Sequence, residues 1–140
     1  MSKHLAIVCF ALFLSSIVFM TGCSKATTTT APYIGSYLTA GSCGGGGLST
    51  YNMTITSSST PTTFMLNNLG NQGFNVTATA STSGGGYYQV DIVSQTVTDT
   101  GGVIAVISGQ GDINGNNLSL NYQTQISSTY SSCSLTATKQ

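Results

Sequence analysis

The sequence predicts an all-β domain: a single antiparallel up-and-down barrel of about eight strands, with a β-sandwich as the alternative. Three observations carry this. After residue 32 the apolar residues recur with period two rather than 3.6. Clusters of Gly, Asn, Ser and Pro punctuate the alternation at short intervals. A meander that is apolar on one face must cover that face, and closing on itself also removes the exposed edges.

The elements follow in chain order. Residues 1–22 read as an export signal with a helical apolar core: Lys3 and His4 form a basic start, and Leu5 to Met20 is interrupted only by Ser15 and Ser16. The run falls short of the roughly 20 apolar residues that a comfortable membrane span needs. Residues 24–32, Ser-Lys-Ala-Thr-Thr-Thr-Thr-Ala-Pro, are a polar low-complexity tether. The folded domain is placed at 33–140, with strands at 33–41, 49–57, 61–68, 73–81 and 86–93. A bent or divided unit is expected at 95–99 with 102–113, then strands at 116–126 and 130–139. Turn chemistry separates them at Gly44–Gly47, Ser59-Thr60-Pro61, Leu69-Gly70-Asn71, Ser83–Gly86, Thr100-Gly101-Gly102 and Asn114-Gly115. The last pair is the strongest hairpin signal, because Asn-Gly readily takes two positive-φ positions.

Alternation also assigns the inner face. Tyr51, Met53, Ile55, Phe64, Leu66, Phe74, Val76, Tyr88, Val90, Ile92, Ile107, Leu118, Leu120, Tyr122 and Leu135 are expected inside. Of the seven tyrosines, Tyr33, Tyr37 and Tyr87 are expected outside, as a surface that could stack a sugar or grip a protein.

Four cysteines have three expected fates. Cys9 leaves with the signal, and Cys23 follows it directly. Cys43 and Cys133 remain, and in an oxidising compartment two leftover cysteines near opposite ends of one domain most simply form a disulfide. Such a bridge fits a barrel in which the first and last strands become neighbours, and it also fits a sandwich whose terminal strands pair. Two thiols without a nearby His make a poor zinc site, so no metal is expected.

Charge removes whole classes of function. Only 4% of the 140 residues are charged, the net charge is zero, and neither Arg nor Glu occurs. No cation cluster is available for a phosphate backbone, so nucleic acid is excluded as a partner. Removing the signal removes His4, the sole His, and with it Ser-His-Asp and Cys-His catalysis. Asp91, Asp99 and Asp112 could supply a carboxylate pair, but Asp beside Gly turns ordinarily forms the turn. Asp112-Ile113-Asn114-Gly115-Asn116 opens like a calcium loop, yet Gln123 stands where the bidentate Glu belongs. The expectation is a non-enzymatic protein without cofactor.

Two resemblances then bear on identity. Met20-Thr21-Gly22-Cys23 resembles the lipobox of bacterial lipoproteins. In that family the Cys thiol is diacylglyceryl-modified, the peptide is cut before it, and the new amino terminus is acylated, by palmitate among others. Cys23 is thereby implied as the lipidation site, and three acyl chains exceed the two signals that stable anchoring needs. Ser24 is implied to be compatible with transfer to the outer membrane, with the periplasmic or outward orientation open. The body, residues 33–138, is similar to small lipocalin-like lipoproteins of Gram-negative bacteria. The stretches carrying this are Tyr33–Tyr37, Ser42-Cys43-Gly44, Ile92–Val97, Ser108–Gly111, Gly115–Tyr122 and Cys133–Thr138, with Gly35-Ser36-Tyr37 in place of the Gly-x-Trp that opens lipocalin barrels. This resemblance implies a calycin-type barrel anchored by lipid. The expected role is a binding or structural module of the cell envelope, with a small apolar ligand or a glycan as partner; the alternative is a surface adhesin or glycan-binding accessory using exposed Tyr, Asn and Gln.

Overall fold

The structure, a computed structural model, describes residues 30–140; the signal, Cys23 and most of the tether lie outside the described residues. Eight strands, β1 (Gly35–Cys43), β2 (Ser49–Ser57), β3 (Thr63–Leu69), β4 (Phe74–Gly84), β5 (Tyr87–Thr98), β6 (Ile104–Asn114), β7 (Asn117–Ile126) and β8 (Thr129–Lys139), follow one another around a closed barrel. Every neighbouring pair is antiparallel, and β1 closes on β8 from Tyr37 opposite Lys139 to Cys43 opposite Cys133. Closure decides between the two architectures that the pattern allowed. It leaves no sandwich.

Alternation builds this wall directly. Along β7, Leu118, Leu120, Tyr122 and Thr124 are buried while Asn117, Ser119, Asn121 and Gln123 are exposed. The same holds for Tyr51, Met53 and Ile55 on β2 and for Phe74, Val76, Ala78 and Ala80 on β4. Burial of each large apolar side chain contributes about 1.5–3 kcal/mol. Tyr37, Phe64, Phe74 and Met53 are among the largest that are fully buried, and they fill the interior with side chains. An eight-stranded barrel is just wide enough for that. All of the inner positions expected from the pattern are buried except Tyr88, which is partly buried against the core.

Four differences from the sequence reading have physical causes. Tyr33 and Tyr37 point into the barrel, not out of it, at 4% and 0% exposure. β1 has apolar residues in both phases, and its phase is set by Cys43, which must face Cys133; parity then turns Gly41, Thr39 and Tyr37 inward. The expected segments 86–93 and 95–99 form one continuous strand, β5 from Tyr87 to Thr98, with the break at 93–95 reduced to a bulge: Ile92 faces Gly109, Gln95 faces Ile107, and Val93 with Ser94 stand opposite Ser108 alone. The strand of the second half begins only after the turn at 99–103. Finally, the hairpin at the end of β6 turns on Gly115-Asn116, because Asn114 pairs with Asn117; Gly115 alone has positive φ (56°), so a glycine at the first central position replaces the expected Asn-Gly turn.

The up-and-down topology gives the barrel two distinct ends. The entry to β1 and the turns after β2, β4 and β6 lie at one, here the tether end. The turns after β1, β3, β5 and β7 lie at the other, the far end.

Candidate functional site

The tether end is closed by aromatic rings. Tyr33, just before β1, sits 5.2 Å from Phe64 and 5.0 Å edge-on from Tyr88, measured between ring centroids. The Tyr37 hydroxyl donates to the Tyr33 carbonyl at 2.7 Å, fixing the loop that carries the plug. Burial pushes the Tyr37 phenol up to about 12, and burial also raises Tyr33, with a smaller contribution from neighbouring Tyr88. Lys139 Nζ donates to the Pro32 carbonyl at 2.6 Å, so the end of the chain clamps its entry. Neither Tyr33 nor Tyr37 is therefore available as an outward binding surface. Tyr87, the third expected member, is 44% exposed and stands without them.

The far end is closed by covalent and polar means. Cys43 and Cys133 form a disulfide across the β1–β8 seam, as expected. The Tyr122 hydroxyl lies 3.5 Å from Cys43 Sγ, and the Tyr51 hydroxyl accepts the Gly70 amide at 3.1 Å. Burial raises both phenols; the neighbouring Tyr51 adds to the shift of Tyr122, and the bond from Gly70 offsets part of that of Tyr51. Both therefore stay neutral hydrogen-bonding groups at physiological pH. A recess of about 180 Å³ opens beside them, lined by Gly41, Ser42, Gly70 and Gln72. Opposite Tyr51 in register, fully buried Thr39 has no partner for its hydroxyl among the described residues.

The aspartates are dispersed. Asp99 organises the turn after β5, its Oδ1 accepting the amides of Gly101 and Val103 at 2.8 Å each. Asp91 and Asp112 lie diagonally on adjacent strands, opposite Gln110 and Gln89, and line separate depressions of the outer wall. Asp112, Asn114 and Asn116 belong to a tight hairpin. Among the described residues no group of three or more His, Cys, Asp or Glu could hold a metal.

What sequence reasoning missed lies on the outer wall. A depression of about 600 Å³ spans β5 to β8 and is bordered by Asp91, Gln110, Asn121 and Gln123. The alternation that filled the core also marks these as outward, so the signal was present; their convergence needed the register of four strands. The wall as a whole is polar, with Asn75, Thr77 and Thr79 on β4 and Ser134, Thr136 and Thr138 on β8. Barrels that span membranes carry the opposite pattern, an apolar band outside and polar groups within.

No protein-family model matches the chain, and no curated protein does. Among solved structures, it is similar to a Bacteroides fragilis NCTC 9343 chain presented as a "putative outer membrane protein", at 16% identity and a TM-score of 0.58. The match covers 78% of this chain and 51% of that one, so this chain spans about half the length of its structural neighbour. At that identity the likeness is one of fold: both contain the barrel architecture described above.

Proposed function

We propose that this chain is an exported lipoprotein of the cell envelope, held to the outer membrane by acyl groups on Cys23 and presenting a rigid, non-enzymatic barrel of the lipocalin-like kind as a binding module. The observation that carries the reading is the polarity of the wall together with the position of the tether. A barrel with hydroxyls and amides outside cannot sit in lipid by its strands, so residence at a membrane requires an anchor. The lipobox-like Met20-Thr21-Gly22-Cys23 supplies one. The nine residues from Ser24 to Pro32 reach at most about 30 Å when extended, enough to hold the plugged end toward the membrane and the far end away from it. The Cys43–Cys133 bridge supports an oxidising compartment. The similar Bacteroides fragilis chain, a "putative outer membrane protein", agrees with this destination.

The test is intact mass of the protein extracted from membranes. Loss of the first 22 residues with a mass increment on Cys23 is expected, and Cys23→Ser should move the protein to the soluble fraction. An unmodified Cys23 in a soluble chain overturns the anchor. The glycan-binding alternative is favoured by a separate observation, the depression in the outer wall.

A further inference from the structure

We propose that the depression across the outer face of β5–β8 is a saccharide-binding site for a neutral glycan. The inference stands apart from the anchor, since it concerns only the wall of the barrel. Two rungs of the sheet build the site. One runs Asp91, Gln110, Asn121, Ser134 across four strands, and the next runs Ser108, Gln123, Ser132 across three. Neighbouring side chains stand about 4.8 Å apart across strands and about 7 Å apart along them, a grid of hydrogen-bonding tips.

Its floor is shaped by β6. The inward positions there are Gly109 and Gly111, and a Cβ at Gly109 would fall 2.5 Å from Tyr122 Cβ. Glycine therefore lets β6 press against β7, and the wall sinks where inner side chains are missing. The depression is a built feature of the sheet and not a gap between loops.

The chemistry selects the ligand class. Each amide offers donors and an acceptor, each hydroxyl both, and the Asp91 carboxylate accepts from paired hydroxyls. None of these side chains bonds another protein group among the described residues, whereas Asn67, Asn68 and Gln95 are committed to bridging neighbouring strands. Anions are disfavoured: Lys139, the sole Lys or Arg among the described residues, is held by Pro32 at the tether end. Apolar ligands are disfavoured because the lining, although it includes Ile92 and Cys133, is more polar than apolar. A neutral, polyhydroxylated molecule matches what remains. Tyr130 stands beside the lining and not within it: it is 70% exposed and shares the outward face of β8 with Ser132, two residues away, within reach of a sugar that extends past the depression.

The test uses the mature chain in detergent, titrated by calorimetry and saturation-transfer NMR with cellohexaose, mannohexaose and chitohexaose, and with an oligogalacturonate as the acidic comparison. Binding of at least one neutral hexamer with a Kd near or below about 1 mM is expected. Tyr130→Ala and Gln123→Ala should each weaken it about tenfold. Asn75→Ser, on β4 and outside the depression, should leave it unchanged. All three positions are exposed, so the fold should survive each change, and circular dichroism checks that. Failure of every neutral hexamer to bind at about ten times that concentration, a preference for the acidic one, or binding that persists unaltered in Tyr130→Ala and Gln123→Ala would each overturn the proposal.

Discussion

The two ends of this barrel solve the same problem by different physics. Both must stop eight strands from splaying where the ladders run out. At the tether end an aromatic plug of Tyr33, Phe64 and Tyr88 covers the opening, and backbone bonds from Gln140 to Ser36 at 3.0 Å and from Lys139 to Asn116 at 2.8 Å knit the chain terminus into it. At the far end the turns are glycine-rich, the tyrosines are tied by their hydroxyls, and a disulfide holds the seam. The plugged end is stabilised by burial, which acts in the folded state. The far end leans on a cross-link, which acts largely by restricting the unfolded chain.

Breaking the cross-link tests this most strongly. The bridge spans 90 residues of sequence, and a loop of that length corresponds to about 4–5 kcal/mol in the chain-entropy model. Reduction, or Cys43→Ser with Cys133→Ser, should lower the denaturant midpoint by that equivalent without changing its slope much. Hydrogen exchange should rise first in β1 and β8 near Cys43 and last around Tyr33. Uniform acceleration at both ends would show that the ends are not independent.

Phe64→Ala attacks the plug instead. It removes a fully buried ring that contacts Tyr33, and such truncations cost about 3–5 kcal/mol. Here the early exchange should appear at the entry to β1, with the disulfide end protected longer. The pair of variants thus separates the ends by location as well as by size.

How far the sequence revealed these ends depends on which signal carried each. The far-end bridge was legible, since two cysteines were left once the signal and the lipidation position were set aside. The plug was not. Tyr33-Ile34-Gly35-Ser36-Tyr37-Leu38 has apolar residues in both phases, so alternation alone could not say which side faced in. One clue was available: Leu135 is inward, Cys133 shares its parity, and a bridge to Cys133 forces Cys43 and then Tyr37 inward. The irregularity at Val93-Ser94 was read as a strand break, and that it is a bulge within one strand was not legible, because its cause is tertiary. There β5 leaves β4, and the Gln95 amide takes over the ladder by donating to the Thr77 carbonyl at 2.7 Å and accepting the Thr77 amide at 3.0 Å. The outer-wall depression was unreadable for the same reason, since it depends on the register of four strands.

Alkaline pH sharpens the comparison from another side. Tyr37 titrates near 10 unfolded and about 12 folded, so the native state holds its proton more tightly. Its contribution is fully present below pH 10 and is lost as pH rises through about 12. Burial raises Tyr33, Tyr51 and Tyr122 in the same direction, so both ends should weaken together in that window. The circular dichroism of the fold should be lost above pH 10 together with the part of the tyrosinate absorbance that belongs to these four buried phenols. Full ionisation of all the tyrosines at pH 10 with the fold intact would contradict the burial described here.

The smallest effect has the opposite sign. Thr39 is fully buried in β1 between the two ends, flanked in register by Tyr51 and Ala137, and its hydroxyl has no partner among the described residues. An unsatisfied buried hydroxyl carries its desolvation cost with no return, typically about 1–3 kcal/mol. Valine keeps the shape and the β-branch that suits a strand, so Thr39→Val should stabilise the barrel by about 1 kcal/mol. Thr39→Ser keeps the hydroxyl, loses the methyl and should destabilise. If Thr39→Val instead weakens the fold, the hydroxyl must be satisfied by a buried water reaching in from the Tyr51–Tyr122 recess. The far end would then be a hydrated polar mouth and not only a covalently stapled one, and its contrast with the aromatic plug would extend to solvent as well as to bonding.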